Sequence, residues 1–132
     1  MNGQYSEKLI SGGELIVSID SWNIKYYFPG PDLRYNGIFV TVKGSEIEKY
    51  ISAWKSNYSR YLLLKKSIPV DGDFCTTGEM GMSIRIGRFF EGVCLYSYHM
   101  PIKTVEKLNQ VISDYQYAKE RAVKLQELLH NL

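Results

Sequence analysis

The chain has 132 residues, of which 45% are hydrophobic and 23% are charged, with a formal net charge of +2. These values are typical of one globular domain spanning residues 1–132, and the charge is too small to indicate a nucleic-acid binder by itself. No segment is long and apolar enough to cross a membrane, so no membrane partner is expected.

The first residues are polar and do not resemble a secretory signal peptide. We therefore expect a cytoplasmic protein in which both cysteines, Cys75 and Cys94, are reduced. Residues 1–12 are polar and lead into "SGG" at positions 11–13, which indicates a loose N-terminal segment.

Three strands are predicted next, because the segments "ELIVSIDSW", "NIKYYF" and "IFVTVK" alternate apolar and polar residues. A loop, "PGPDLRYNG", separates the second strand from the third. A helix from about Ser45 to Leu64 follows, since Ser45 and Glu48 fit a capping box and apolar residues recur every three or four positions. Residues 67–81 fit either a hairpin or a loop.

The segment "MSIRIGRFFEGVCLYSYHM" predicts two strands joined by a turn at Glu91-Gly92. From Pro101 the apolar period becomes helical for roughly 28 residues, or about 42 Å, which exceeds the ~30 Å width of a small domain. Such a helix either breaks or projects its end toward a partner. The order of elements predicts an α+β fold: one antiparallel sheet of about five to six strands, with both helices packed on one face.

The hairpin contains a cysteine and a histidine, Cys94 and His99, that raise the question of a catalytic pair. With a two-residue turn at Glu91-Gly92, Ile84 lies opposite His99 and Arg85 lies opposite Tyr98. Side chains five positions apart on one strand point to opposite faces, so this geometry excludes a nucleophile and its base. Cys94 is interpreted as a packed thiol, and His99 as a structural or solvent-facing residue.

Other catalytic and cofactor chemistries find little support. The cysteines and histidines lack metal-ligand spacing, and no glycine-rich loop follows the strand–loop–helix pattern of a phosphate site. No cofactor or metal is therefore expected. Asp20, beside Trp22 in a turn, is the most isolated carboxylate, although a turn-capping role is favoured. An enzyme that uses Asp20 or His99 is the least favoured alternative.

The second face of the hairpin is the predicted partner-binding site. It combines an arginine with aromatic residues, a composition typical of interface hot spots: Arg85, Phe89, Tyr96 and Tyr98. We expect a small non-catalytic binding protein, of the inhibitor, immunity or adaptor type, that recognises a protein partner or a second copy of itself through this face or the long helix. The alternative is a module that stacks single-stranded nucleic acid on the same aromatics, and simple packing under a helix would also account for them.

Overall fold

The computed structural model describes residues 3–28, 38–69, 71–88, 90–95 and 100–132. Within these residues the protein is α+β, as predicted, with two helices and antiparallel strands. The strands are β1 (Gln4–Lys8), β2 (Glu14–Ser18), β3 (Trp22–Phe28), β4 (Ile38–Lys43), β5 (Phe74–Thr77), β6 (Ser83–Ile86) and β7 (Gly92–Cys94). The helices are α1 (Ile47–Ser67) and α2 (Val105–His130).

The prediction of one sheet of five to six strands is wrong. The strands form a four-stranded sheet in the order β1-β2-β3-β4 and a separate three-stranded sheet in the order β5-β6-β7. Short connections pair neighbouring strands, but the 21-residue helix α1 separates β4 from β5. Alternation within each strand carries no information on whether pairing continues across such a helix.

The chain divides into two compact units, and each is described by itself. Unit 1 comprises Met1–Glu48 and Gln110–Leu132, and unit 2 comprises Lys49–Asn109. The single-domain organisation of residues 1–132 stays a prediction.

In unit 1, helix α2 covers one face of the four-stranded sheet. The buried residues of that face are Leu15, Val17, Ile24, Tyr26 and Val42, and those of the helix are Val111, Ile112, Tyr115, Ala118 and Ala122. The Oη of Tyr26 donates a hydrogen bond to the Oη of Tyr115 at 3.1 Å, which ties the sheet to the helix. Among the described residues of unit 1, no helix covers the opposite face of this sheet.

The expectation of a loose N-terminal segment over residues 1–12 is wrong, because residues 4–8 form β1. This strand pairs with β2 from Gln4 opposite Ser18 to Lys8 opposite Glu14. Side chains of α2 hold it as well: Tyr117 Oη donates to a Glu7 carboxylate oxygen at 3.0 Å, and Arg121 Nε donates to the other at 3.3 Å. The stabilising partners are distant in sequence, so the local composition does not predict the strand.

The turn between β1 and β2 is fixed by a buried carboxylate of α2. Asp114 is buried, and its Oδ2 accepts the backbone N–H of Ser11 at 2.7 Å and the hydroxyl of the same residue. Leu9 N–H also bonds the carbonyl of Gly13 at 3.0 Å across the turn. A buried carboxylate is tolerated here because donors satisfy it.

In unit 2, α1 covers the three-stranded sheet. Its buried residues include Ile51, Trp54, Asn57, Tyr58 and Tyr61, and those of the sheet and its flanks include Met82, Ile84, Ile86, Val93, Leu95 and Ile102. The stretch 67–81 contributes β5, which forms a hairpin with β6 through a 3₁₀ turn at Glu79–Gly81. This turn is held by the Asn57 side chain, which accepts Glu79 N–H at 2.9 Å and donates to the Glu79 carbonyl at 3.0 Å.

The predicted register of the second hairpin is wrong. Arg85 lies opposite Gly92 rather than Tyr98, and Ile84 lies opposite Val93 rather than His99. Gly92 therefore belongs to β7 and not to a two-residue turn. It adopts φ +128°, and a Cβ there would approach the Ile102 carbonyl oxygen to 2.8 Å, so only glycine suits this position beside residue 102. The observed partner of each β6 residue lies six positions before the predicted one. Because six is an even number, the same side chains share a face as in the prediction, and Ile84 and Ile86 are buried as expected.

Both helices differ modestly from their predicted bounds. Helix α1 begins after a 3₁₀ turn at Gly44–Glu46 and continues to Ser67. Helix α2 begins at Val105, and Thr104 Oγ1 accepts the N–H of Lys107 at 3.2 Å as its N-terminal cap. At 26 residues, α2 is about 39 Å long. Among the helices that the structure describes, neither is long and apolar enough to span a bilayer.

Candidate functional site

Most of the predicted partner-binding residues lie outside the described residues. These are Phe89, Tyr96 and Tyr98; His99, the histidine considered as an enzyme candidate, also lies outside the described residues. Arg85 is described: it lies on β6, opposite Cys75 on one side and Gly92 on the other. The predicted cluster therefore stays a prediction, apart from the cross-strand partners of Arg85, which are Cys75 and Gly92.

The geometry of Cys94 argues against nucleophilic catalysis. The residue is 1% exposed, and burial raises the pKa of its thiol to about 11, although the nearby Arg85 acts in the opposite direction. The thiolate is the reactive form, and it is scarcely populated at neutral pH when the pKa is this high. Cys94 therefore behaves as a small core residue.

The open face of the four-stranded sheet offers a surface that the sequence pattern did not single out. Cross-strand register and alternation place on it the residues Gln4, Ser6, Lys8, Glu14, Ile16, Ser18, Asn23, Lys25, Tyr27, Phe39, Thr41 and Lys43. We call this set the open sheet face. It carries three lysines and one glutamate, so its net charge is positive.

Two exposed aromatic rings lie at one end of the open sheet face. Tyr27 on β3 and Phe39 on β4 are directly opposite each other, with ring centroids 6.2 Å apart. They are 60% and 56% exposed. The ammonium of Lys25 lies 5.2 Å from the centroid of the Phe39 ring, within the range of a cation–π interaction. The three side chains thus form a continuous apolar and cationic patch.

The strand pattern already contained half of this patch. In "NIKYYF", Ile24 and Tyr26 share one face, so Lys25 and Tyr27 must share the other. The pairing of Tyr27 with Phe39 depends on the register between β3 and β4, which lie on either side of the loop at 29–37. That register is a tertiary property, and no local signal in the sequence reports it.

A second candidate site is a cavity of about 490 Å³ at one end of the same sheet. Its lining comprises Asp20, Ser21, Trp22, Asn23, Lys43, Gly44, Ser45 and Gln126. Asp20, the isolated carboxylate predicted as an enzyme candidate, therefore does lie beside a cavity. Among the described residues of this lining it is the one carboxylate, so they provide no acid–base pair of carboxylates.

A smaller cavity of about 300 Å³ lies beside the turn between β1 and β2, and its lining includes Glu7, Asp114 and Tyr117. These polar groups already bond within the protein, to Arg121 and Ser11 among others. Their arrangement is accounted for by the attachment of β1 to α2.

Metal binding finds no support among the described residues, where no group of three histidine, cysteine or acidic side chains could hold an ion. In comparisons with known proteins, the chain matches no family model, no curated protein and no solved structure.

Proposed function

We propose that this protein is a non-catalytic binding protein that recognises a protein partner through the open sheet face. The observation that carries the proposal is the exposed pair Tyr27 and Phe39, on a sheet face over which the described residues of unit 1 place no helix. The proposed function is of the predicted type, but the binding surface lies on the four-stranded sheet rather than on the second hairpin.

The exposed rings of Tyr27 and Phe39 would gain free energy by leaving water. A scattered exposed leucine needs no explanation, but two large rings in contact present a joint apolar surface to water. Aromatic residues supply much of the binding energy at protein interfaces, because they bury a large area at a small cost in side-chain entropy. Transfer of the Tyr27 and Phe39 rings into a partner's pocket would therefore be favourable.

The charges of the face suggest the chemistry of the partner. Lys25 lies beside the aromatic pair, whereas Lys8 lies two strands away and Lys43 lies toward the other end of β4. Glu14 lies between Lys8 and Lys25 in the ladders. A partner with an apolar patch flanked by acidic residues would complement this surface and associate faster at low salt. We therefore propose an acidic protein partner rather than a second copy, since two copies would bring like-charged lysines together.

The alternative route, through the far end of the long helix, is less well supported. Helix α2 is unbroken, and it stays attached to unit 1 almost to its end, since Gln126 Nε2 donates to the Ser18 carbonyl at 3.2 Å. A Cβ placed on Gly3 would lie 4.0 Å from Leu129. Only about the last turn of α2 is left to project. Leu128, which is exposed, serves below as a test of this route.

A cytoplasmic location is part of the proposal. It is supported by the two free cysteines, Cys75 and Cys94, the first of which is exposed. An exposed free thiol suits a reducing compartment.

The decisive experiment compares capture of partners from a lysate of the native cell by immobilised wild type and variants. We expect the double variant Tyr27→Ala/Phe39→Ala to lose a specific partner that the wild type retains. Leu63→Ala and Leu128→Ala are matched controls, because both leucines are about as exposed as the two rings but lie on helices. These controls should retain the same partner.

The captured protein is then purified and its affinity is measured by calorimetry. Loss of two hot-spot residues should weaken binding by about 100-fold or more. Lys25→Glu should weaken it further and make the remaining affinity less dependent on salt. The proposal would be overturned if the double variant bound as tightly as wild type, or if Leu128→Ala alone abolished binding.

A second candidate function uses the same patch. Lys25 over Phe39, with Tyr27 beside it, is also the arrangement by which proteins stack single-stranded bases while a cation follows the phosphates. Fluorescence anisotropy with a 12-nucleotide oligo-dT and oligo-U would detect such binding. Affinity that falls steeply with salt and depends on Tyr27 would favour nucleic acid over protein.

A further inference from the structure

The cavity at the end of the four-stranded sheet is built differently from the open sheet face. It lies where the turn between β2 and β3 meets the end of β4 and the C-terminal half of α2. Its lining combines one indole ring, from Trp22, with side chains that carry hydroxyl, amide, carboxylate and ammonium groups. A volume of about 490 Å³ falls within the usual range for small-molecule sites.

The indole ring is held in place by backbone rather than by flexible side chains. A Cβ on Gly44 would lie only 2.3 Å from Cε2 of Trp22 and 2.5 Å from Cδ2. The main chain at Gly44 therefore lies directly against the ring, and any larger residue would displace it. This contact sets the ring's position before a ligand arrives, which lowers the entropic cost of binding.

The polar wall beside the ring is also ordered by internal hydrogen bonds. Ser18 N–H donates to the Ser21 carbonyl at 2.8 Å, and the two hydroxyls of these serines lie 3.0 Å apart. Gln126 Nε2 donates to the carbonyl of Ser18 at 3.2 Å, which anchors the amide and leaves its Oε1 as an acceptor. These bonds hold the turn at Ser21 and the Gln126 amide beside the ring.

The charges of the lining indicate a ligand without net charge. Asp20 contributes one carboxylate and Lys43 contributes one ammonium, so a phosphate would meet a like charge at Asp20 and a cation would meet one at Lys43. Asn23, Ser45 and Gln126 add neutral donors and acceptors. A ligand with one flat apolar face and many hydroxyls matches an indole surrounded by such groups.

We infer that this cavity is a binding site for a neutral carbohydrate, with one sugar ring against Trp22 and its hydroxyls bonded to Asp20 and Gln126. Glycoside hydrolysis ordinarily needs two carboxylates flanking the bond, and the described residues of the lining provide one, so we expect binding without hydrolysis. The cavity shares Asn23 and Lys43 with the open sheet face but not Tyr27 or Phe39, which carry the proposed protein binding.

The chain carries its own reporter for the test. It contains two tryptophans, Trp22 in the cavity and Trp54, which is fully buried in unit 2. Their two indole N–H signals are separate probes in a ¹H–¹⁵N correlation spectrum, and the spectrum of Trp22→Phe assigns them. Glucose, galactose, N-acetylglucosamine and cellobiose would be titrated to about 50 mM, a range that detects millimolar dissociation constants.

We expect at least one of these sugars to shift the Trp22 signal in a saturable way and to leave the Trp54 signal unchanged. Asp20→Asn should weaken binding about tenfold, and Gly44→Ala should weaken it by displacing the ring. Asp71→Asn, at an exposed turn in unit 2, is the matched control and should bind as wild type. Dispersed spectra of each variant show whether it is folded.

The inference would be overturned if none of the four sugars shifted the Trp22 signal saturably. Saturable binding of inorganic phosphate or of glycine, but of no sugar, would also overturn it and assign an anion or a zwitterion to the cavity. The double variant Tyr27→Ala/Phe39→Ala should retain sugar binding, so failure here and failure of the proposed protein-binding function are distinguishable.

Discussion

Tyr26 and Tyr27 are neighbours in the chain that face opposite sides of the four-stranded sheet: Tyr26 is 3% exposed and Tyr27 is 60% exposed. The first donates a hydrogen bond to Tyr115 in the interior, and the second lies against Phe39 on the open sheet face. Two residues of one type therefore have separate tasks, one in stability and one in the proposed binding.

This separation yields a matched pair of variants. Tyr26→Phe removes the donor to Tyr115 within the core and should lower the free energy of unfolding by about 1–2 kcal/mol. Tyr27→Ser removes an exposed ring and should change it by less than about 0.5 kcal/mol. Urea denaturation followed by circular dichroism measures both. Equal losses of stability would show that Tyr27 belongs to the core rather than to a binding surface.

A second prediction concerns Asn57, which is 1% exposed on α1 and bonds both the N–H and the carbonyl of Glu79. Asn57→Ala leaves these two backbone groups without their side-chain partner, so we expect a loss of about 2–3 kcal/mol in the free energy of unfolding. Asn109→Ala, at an exposed position on α2, is the control and should cost much less. A loss below about 0.5 kcal/mol for Asn57→Ala would show that the hydrogen bonds from Asn57 do not stabilise the 3₁₀ turn.

The free energy of unfolding should decrease at alkaline pH, because three buried side chains have raised pKa values. Burial raises the pKa of Cys94 from 9.0 to about 11, and burial with the hydrogen bond to Glu91 raises that of Tyr61 from 10.0 to about 12. Burial also raises the pKa of Tyr26 well above 10.0. The unfolded chain releases these protons first, so their contribution is complete below about pH 9 and is lost as the pH rises toward 11 and 12.

The measurement is a series of urea denaturations between pH 8 and pH 10.5. Cys94 alone should contribute a slope of up to about 1.4 kcal/mol per pH unit above pH 9. In Cys94→Ala that part of the slope should disappear, even if the variant is less stable at every pH. Val123→Ala, at an exposed and non-titrating position on α2, is the control and should leave the slope as it is in wild type.

The two cysteines should also differ in reactivity. With iodoacetamide at pH 8, we expect Cys75 to be labelled within minutes and Cys94 to be protected until the protein unfolds. Mass spectrometry of peptides after timed labelling gives both rates. Rapid modification of Cys94 in the folded protein would show an accessible thiolate and would reopen its role as a nucleophile.

Local patterns in the sequence were sufficient to identify the α+β class and several of the strands. The alternation of Leu15, Val17 and Ile24 predicts buried strand faces, and these residues are fully buried. The helical stripe containing Leu108, Ile112 and Tyr115 likewise predicts the buried side of α2. Such predictions succeed because burial of one face of a regular element imposes a fixed period on its own residues.

Features that depend on contacts between distant residues were missed. β1 has no apolar alternation, and it is held by pairing with β2 and by Tyr117 and Arg121, more than a hundred residues away. The alternation around Glu91-Gly92 predicts a two-residue turn in the second hairpin, but Gly92 instead pairs with Arg85 inside the sheet. The Glu91 carboxylate meanwhile accepts bonds from Tyr61 and Lys65 of α1, which fixes the loop in this form.

By itself, the sequence determined which residues alternate and where the helices run. The tertiary structure decided how strands pair across the long helix α1, and so that there are two sheets. It also decided that Tyr27 meets Phe39 on a face without a helix in unit 1, and that Asp20 and Trp22 line one cavity with Gln126. The physical reason is that periodicity reports only whether a side chain is buried, whereas register and packing between distant segments decide which side chains meet.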